Sequence, residues 1–178
     1  MGDPNYNNIL SFLPGQRLSA CTCPGEDHPG PPGKGRGSPE IDILEAQIEI
    51  EGVRRGVASQ SFQMAPFNAN YEFGIGPGDI EIYDPLDTKL NTYKGSIYQQ
   101  AASALSYINS STYNGESPAF GTYGFEYWPG RDKDSHITWD VDGKKTWSIY
   151  PSALKADPVA GIGPRTIAEE PMVSRLTL

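Results

Sequence analysis

The chain has 178 residues, with 22 acidic and 14 basic side chains and a formal net charge of −8. This length suits one domain with one core, and the negative charge argues against nucleic acid as a partner, because phosphate binding needs a basic surface. Glycine (20) and proline (16) make up about a fifth of the chain, which favours dense turns over long helices.

Residues 1–39 are predicted to be mostly loop, because Gly or Pro fills more than half of positions 23–39. Cys21 and Cys23 are too close for an unstrained disulfide, so they are either a reduced pair or have partners elsewhere. Only His28 lies nearby, so no metal site or cofactor is predicted. The first residues lack the pattern of a signal peptide, and no run approaches the about 18 apolar residues of a membrane span.

The remainder of the chain reads as short strands separated by turns. Residues 98–107 fit either a strand or a short helix, and Asp142-Gly143 is a two-residue hairpin signal between two strands. Trp139 and Trp147 flank that turn and are predicted to form a cross-strand pair. The pattern predicts an all-β sandwich, with strands at 40–50, 57–65, 80–83, 122–128, 137–141 and 144–150.

The strongest candidate for chemistry is the strand that begins Glu40-Ile-Asp-Ile-Leu-Glu45. Glu40 and Asp42 share one face of a regular strand, and Glu45 joins them if a β-bulge at residues 43–44 adds one position. Three carboxyls on one face repel, so their pKa values should be perturbed. A retaining glycosidase needs two such carboxyls roughly 5–5.5 Å apart, although a solvated acidic strand face has the same pattern.

This hexapeptide resembles the active-site motif of glycoside hydrolase family 16 in its bulged form. Longer phrases between about Gly2 and Met172 resemble the fungal β-glucan synthesis-associated proteins of the SKN/KRE type. These phrases lie at residues 13–30, 35–39, 59–67, 91–95, 98–100 and 123–128.

The resemblance implies roles for the three acids: Glu40 as nucleophile, Asp42 as its assistant and Glu45 as acid/base. It also implies a concanavalin A-like β-jelly-roll fold and a β-glucan polysaccharide as the partner. Members of the group are type II membrane proteins of the secretory pathway that are needed for cell-wall β-1,6-glucan, so a lumenal or extracellular location is expected. Asn109-Ser-Ser111 would then be a glycosylation sequon.

Compared with that family, the chain is expected to be an incomplete jelly roll that lacks the membrane anchor. We expect residues 1–39 to form a loop-rich N-terminal segment of the same domain. Residues 40–172 would be its core, truncated at both ends, and residues 173–178 an atypical tail.

Several other side chains are candidates for substrate binding. Gln60 and Gln63 can bond sugar hydroxyls, or they are simply exposed to solvent. On the aromatic strand, alternation places Tyr123, Phe125 and Tyr127 on one face and Gly124, Glu126 and Trp128 on the other. Its rings can stack on sugars or pack in the core, and Glu126 is favoured by the resemblance as an acid behind the catalytic pair.

Three functions therefore stay open at this point. The first is a retaining glucan hydrolase or transglycosylase. The second is a non-catalytic module that binds or assembles wall glucan, and the third is an inactive truncated fragment.

Overall fold

A computed structural model of the protein describes residues 39–49, 54–64, 72–93, 101–113, 119–156, 158, 163–169 and 172–176. Within these ranges the chain forms two four-stranded antiparallel sheets, in the orders β1-β2-β5-β4 (sheet A) and β3-β8-β7-β6 (sheet B). The strands are β1 Glu40–Ile48, β2 Gly56–Gln63, β3 Ile80–Ile82, β4 Thr88–Leu90, β5 Ala101–Tyr107, β6 Tyr123–Trp128, β7 His136–Val141 and β8 Lys144–Ile149.

The predicted all-β sandwich is confirmed by these two sheets; the jelly-roll topology stays a prediction. Two short 3-10 turns, Ser110–Tyr113 and Pro151–Ala153, complete the regular structure of the described ranges. No helix in those ranges is long and apolar enough to cross a membrane.

The core forms where the inward faces of the two sheets meet. Sheet A contributes Phe62 together with small alanines of β5, and sheet B contributes Ile137, Trp139, Trp147 and Ile149, all of them fully buried. Small residues on one sheet opposite indole rings on the other fill the space between the layers at the density of a protein interior. Because side chains alternate along a strand, the residues between these buried ones point outward, away from the core.

The β7–β8 hairpin is the part of the fold that the sequence specifies most completely. Asp142 and Gly143 have φ angles of 52° and 73°, the left-handed conformation that a two-residue hairpin turn needs at both positions. The turn pairs Val141 with Lys144, and a register shift between Trp139 and Asp140 then places Trp139 opposite Trp147. Their rings stack with centroids 4.5 Å apart and planes 3° from parallel, as the predicted cross-strand pair requires.

The other strand predictions agree with the structure except at β4. Residues 98–107, left open between strand and helix, contain strand β5. Strand β4 was missed because its three residues, Thr88–Leu90, are too few to show a period. Residues 1–38, and with them Cys21, Cys23 and His28, lie outside the described residues, as do residues 50, 65 and 98–100 at the predicted strand ends.

Candidate active site

The predicted bulge in β1 is present, and it brings the three acids to one face of sheet A. In the β1–β2 register Glu40 is opposite Gln63, Asp42 opposite Ser61 and Glu45 opposite Ser59. Since 59, 61 and 63 are alternate positions of β2, the three acids point to the same side of the sheet. The register shift falls between Asp42 and Glu45, as a bulge there requires.

The acidic face is the one that points away from sheet B. Phe62, Ala102 and Ala104, on the other face of β2 and β5, are buried in the core. The acids therefore stand on the outer surface of the sandwich, where a polymer can reach them.

Asp42, the middle one of the three acids, accepts hydrogen bonds from β2 and from sheet B. Its Oδ2 accepts hydrogen bonds from the Ser61 hydroxyl at 2.6 Å and from Nε2 of Gln63 at 3.0 Å. Its backbone carbonyl accepts a bond of 3.0 Å from the indole N–H of Trp139, which crosses from sheet B. The strand that carries the acids is thus tied both to its neighbour and to the core beneath it.

Glu45 has a separate set of hydrogen-bond partners. The Ser59 hydroxyl donates to its Oε2 at 3.3 Å, and the Ser59 and Ser103 hydroxyls lie 3.3 Å apart. Nδ2 of Asn91 donates to Ser103 at 3.3 Å. The acidic face is therefore continued across β2 and β5 by small polar side chains.

The pKa values of Glu40 and Glu45 are both raised above their ordinary value. For Glu40 the main cause is burial, followed by the charges of Asp42 and Glu45 and a hydrogen bond to Asp42; Arg175 acts in the opposite direction. Burial also comes first for Glu45, followed by Asp42, whereas the Ser59 hydroxyl lowers its pKa. Desolvation and like charge both disfavour the charged form of a carboxyl beside another carboxylate, so Glu40 and Glu45 hold their protons more tightly than usual. This agrees with the perturbed pKa values expected from three acids on one face.

Because its pKa is raised, Glu45 destabilises the folded protein as the pH rises. Its folded-state pKa lies above the ordinary value of 4.5, so the folded state binds the proton more tightly and its stability falls as pH rises through that region. Glu45→Gln should therefore match the wild-type protein at pH 3.5 and exceed it at pH 7. We expect a gain of at most about 1 kcal/mol, because solvent screens an accessible carboxyl.

Urea unfolding of both proteins at the two pH values measures this difference. Equal free energies of unfolding at pH 7 would show that Glu45 has an ordinary environment.

The two predicted glutamines lie on opposite faces of β2. Gln63 stands beside Asp42 on the acidic face, and its Oε1 has no hydrogen-bond partner in the described part of the chain. Gln60 is fully buried on the core face, where it accepts from Thr146 at 2.7 Å and donates to the Asp140 carbonyl at 3.1 Å. Gln60 therefore links the two sheets and cannot contact a glucan on the acidic face.

The aromatic strand β6 is the edge of sheet B that lies beside β1. As alternation predicted, Tyr123 and Tyr127 pack towards the core, while Glu126 and Trp128 occupy the other face and are exposed to solvent. None of the four shares the sheet face of the acids. Phe125 stacks on Tyr127 at 5.8 Å and remains partly exposed, so this edge presents aromatic surface next to β1.

Sequence reasoning missed the serines that line the acidic face. Ser59, Ser61 and Ser103 are almost fully buried and all bond to the site. The alternating Ser-Gln-Ser-Phe-Gln of residues 59–63 was a usable signal, since it places polar groups opposite all three acids. In the described ranges no three His, Cys, Asp or Glu side chains are grouped so as to hold a metal ion.

The fold and the site together define a class: an all-β sandwich with an acidic, bulged strand on its outer face. Over residues 3–178 the chain matches the family described as beta-glucan synthesis-associated protein SKN1/KRE6/Sbg1. The chain belongs to this family, which is associated with β-glucan synthesis. The match includes both the N-terminal loop-rich segment and residues 173–178.

Individual relatives agree with the family assignment. The chain is 43% identical over 175 residues to the beta-glucan synthesis-associated protein KRE6 of Saccharomyces cerevisiae, covering 95% of this chain and 23% of the relative. It is 44% identical over 176 residues to SKN1 of the same yeast, covering 95% and 21%. For SKN1 of Candida albicans the identity is 41% over 169 residues, covering 92% and 21%.

The chain thus spans less than a quarter of the length of these curated relatives. No solved structure matches it.

Proposed function

We propose that the protein is a glycosidase or transglycosylase that acts on cell-wall β-glucan by a retaining, two-carboxylate mechanism. One observation carries the proposal: Glu40, Asp42 and Glu45 share one outward face because the β-bulge shifts the register between Asp42 and Glu45. Without that shift Glu45 would face the core, and only Glu40 and its neighbour Asp42 would remain on the outward face.

The spacing of the two glutamates suits retention of configuration. They pair with residues four positions apart on β2, so their Cα atoms are about 13 Å apart along the strand. Two glutamate side chains that lean towards Asp42 between them can bring their carboxyls to the roughly 5–5.5 Å of a retaining enzyme. The effect of the Glu45 charge on the pKa of Glu40 supports such an approach.

In the first step, a carboxylate oxygen of Glu40 attacks the anomeric carbon. The glycosidic C–O bond breaks, and Glu45 gives its proton to the departing oxygen. Burial raises the pKa of Glu45, which favours the protonated form that an acid needs. Asp42 assists Glu40, to which it is joined by a side-chain hydrogen bond.

In the second step, an acceptor hydroxyl gives its proton to Glu45 and attacks the same carbon, which releases Glu40. The acceptor is water in hydrolysis and a sugar hydroxyl of a second glucan in transglycosylation. Gln63 acts on the site through its Nε2, which donates to Asp42, since its Oε1 is buried from solvent. The exposed aromatic edge at Phe125 offers a stacking surface beside β1.

The protein would meet its glucan on the lumenal or extracellular side of the secretory pathway or plasma membrane, where fungal wall polymers are assembled. Asn109 of the sequon is exposed, so a glycan could be attached there.

The test is an incubation of the protein with a β-1,3-glucan (laminarin) and a β-1,6-glucan (pustulan), followed by proton NMR of the products at early times. We expect new reducing ends, or longer transfer products, that first appear in the β configuration. Products that first appear in the α configuration would contradict the retaining mechanism. Binding of either glucan without any product would instead favour a non-catalytic glucan-binding module.

A further inference from the structure

We infer that Ser103 and Asn91, which touch none of the three acids, position Glu45 through a relay of hydroxyl groups that crosses sheet A. The relay runs from Asn91, just after β4, to Ser103 on β5, to Ser59 on β2 and to Glu45 on β1. Each of its three links is 3.3 Å long. A role of the relay in catalysis rests on the proposed function, but the relay itself can be tested without substrate.

The direction of the relay is set at its far end. The backbone N–H of Tyr93 donates to Oδ1 of Asn91 at 3.0 Å, so the other end of that amide is the NH₂ group, a donor, and it faces Ser103. Ser103 receives this bond and has one hydrogen left, which points to Ser59. Ser59 in turn directs its hydrogen to Glu45, so all three donors point towards the carboxylate.

The same ordering favours the charged form of Glu45 over its neutral form. A hydroxyl that itself accepts a hydrogen bond becomes a stronger donor, so each link reinforces the next. The buried position of Ser59 and Ser103 protects the relay from competing water. The lowering of the Glu45 pKa by Ser59 is consistent with this direction.

Asp42 is served by a different pair of donors, Ser61 and Gln63, which form no hydrogen bond with the relay among those described. The hydrogen bonds to the two carboxyls are therefore separate, although the charge of Asp42 still raises the pKa of Glu45. In a two-step reaction this matters because Glu45 must lose and regain a proton, whereas Asp42 keeps the same partners.

Other charged groups on this sheet face do not replace the relay. Glu40 and Asp42 are like charges on β1 itself. Lys89 of β4 lies in the same cross-strand row as Glu45 but forms an ion pair with Glu49, which also accepts from the Tyr107 hydroxyl of β5. Arg55, just before β2, lies over the Tyr107 ring at 4.5 Å and so is placed towards the far end of the sheet.

The experiment follows the titration of the Glu45 carboxyl by carbon-13 NMR, with the resonance assigned from Glu45→Gln. Ser59→Ala should raise the midpoint by about half a pH unit, since it removes one hydrogen bond to a charged group. Ser103→Ala should also raise the midpoint, by about half as much, because Ser59 still donates to Glu45 and only the strengthening of that bond by Ser103 is lost. Ser103→Thr, which retains the hydroxyl, should restore the wild-type midpoint.

Ser106→Ala is the matched control. Ser106 is also a buried serine of β5 with a cross-strand hydroxyl bond, of 3.0 Å to Thr88, but it faces away from the acids. Its loss should lower stability without moving the Glu45 midpoint. An unchanged midpoint in Ser103→Ala would overturn the relay, even if Glu45 proves essential for turnover. A shifted midpoint in a protein without turnover would uphold the relay and count against the glycosidase.

Discussion

We expect Glu40→Gln to lower β-glucan turnover by at least roughly 10³-fold while the protein keeps its fold. The amide is isosteric with the carboxyl but cannot attack an anomeric carbon, so no glycosyl-enzyme ester forms, and loss of a nucleophile removes most of the catalysis that depends on it. The fold should persist because Glu40 is exposed and its charge is disfavoured by Asp42 and Glu45. Initial rates on the preferred glucan, together with circular dichroism, measure both effects.

Glu49→Gln is the matched control for this experiment. Glu49 follows β1 on the same sheet face, where it is bonded to Lys89 and Tyr107 and not to the three acids. Its replacement should leave turnover within about twofold of the wild-type rate, since surface charges away from the reacting atoms contribute little. Turnover that survives in Glu40→Gln at the level of the Glu49→Gln control would remove the mechanistic basis of the proposed function.

The fold was predictable where local chemistry and packing agree. The Asp142-Gly143 turn and the strand on each side of it follow from a turn type that dictates its own register, whereas the Trp139–Trp147 pair also depends on a register shift between Trp139 and Asp140. The bulge in β1 was predictable for a related reason. Apolar alternation slips by one position at Ile43-Leu44, and an extra residue there keeps Glu45 on the face of Glu40 and Asp42.

The site was less predictable, because the face on which a polar residue lies depends on its register with another strand. Gln60 and Gln63 look equivalent in sequence, but Gln63 bonds Asp42 whereas Gln60 is in the core between Thr146 and Asp140. A buried glutamine is rare unless its amide is fully bonded, and the partners of Gln60 come from sheet B. No local pattern reports contacts between residues that are about 80 positions apart.

The serines of the relay escaped prediction for a related reason. Ser103 lies in a Ser- and Ala-rich stretch that fits a strand or a helix, and Asn91 follows a strand too short to detect. Only the sheet order β1-β2-β5-β4, with a diagonal contact between Ser103 and Ser59, brings these residues near Glu45. The composition predicts polar strands, but only the pairing of the strands brings these polar side chains close to a carboxyl.

The second large effect that we expect concerns Trp139, which connects the core to β1, the strand of the three acids. Trp139→Ala should cost about 3–5 kcal/mol, because it leaves a cavity, removes the stacking on Trp147 and deprives the Asp42 carbonyl of its donor. That loss is comparable with the total stability of a marginal domain. Urea or thermal unfolding, followed by tryptophan fluorescence, measures it.

Trp128→Ala is the control of the same residue type, since Trp128 is 57% exposed on the outer face of sheet B, and it should change stability by less than about 1 kcal/mol. Trp139→Phe separates packing from the hydrogen bond. Phenylalanine keeps an aromatic ring against Trp147 but cannot donate to Asp42, so the strand of acids should loosen even where the core survives. We therefore expect a folded protein with a lower kcat and little change in KM. Equal stability of Trp139→Ala and Trp128→Ala would mean that the two sheets do not meet where the structure joins them.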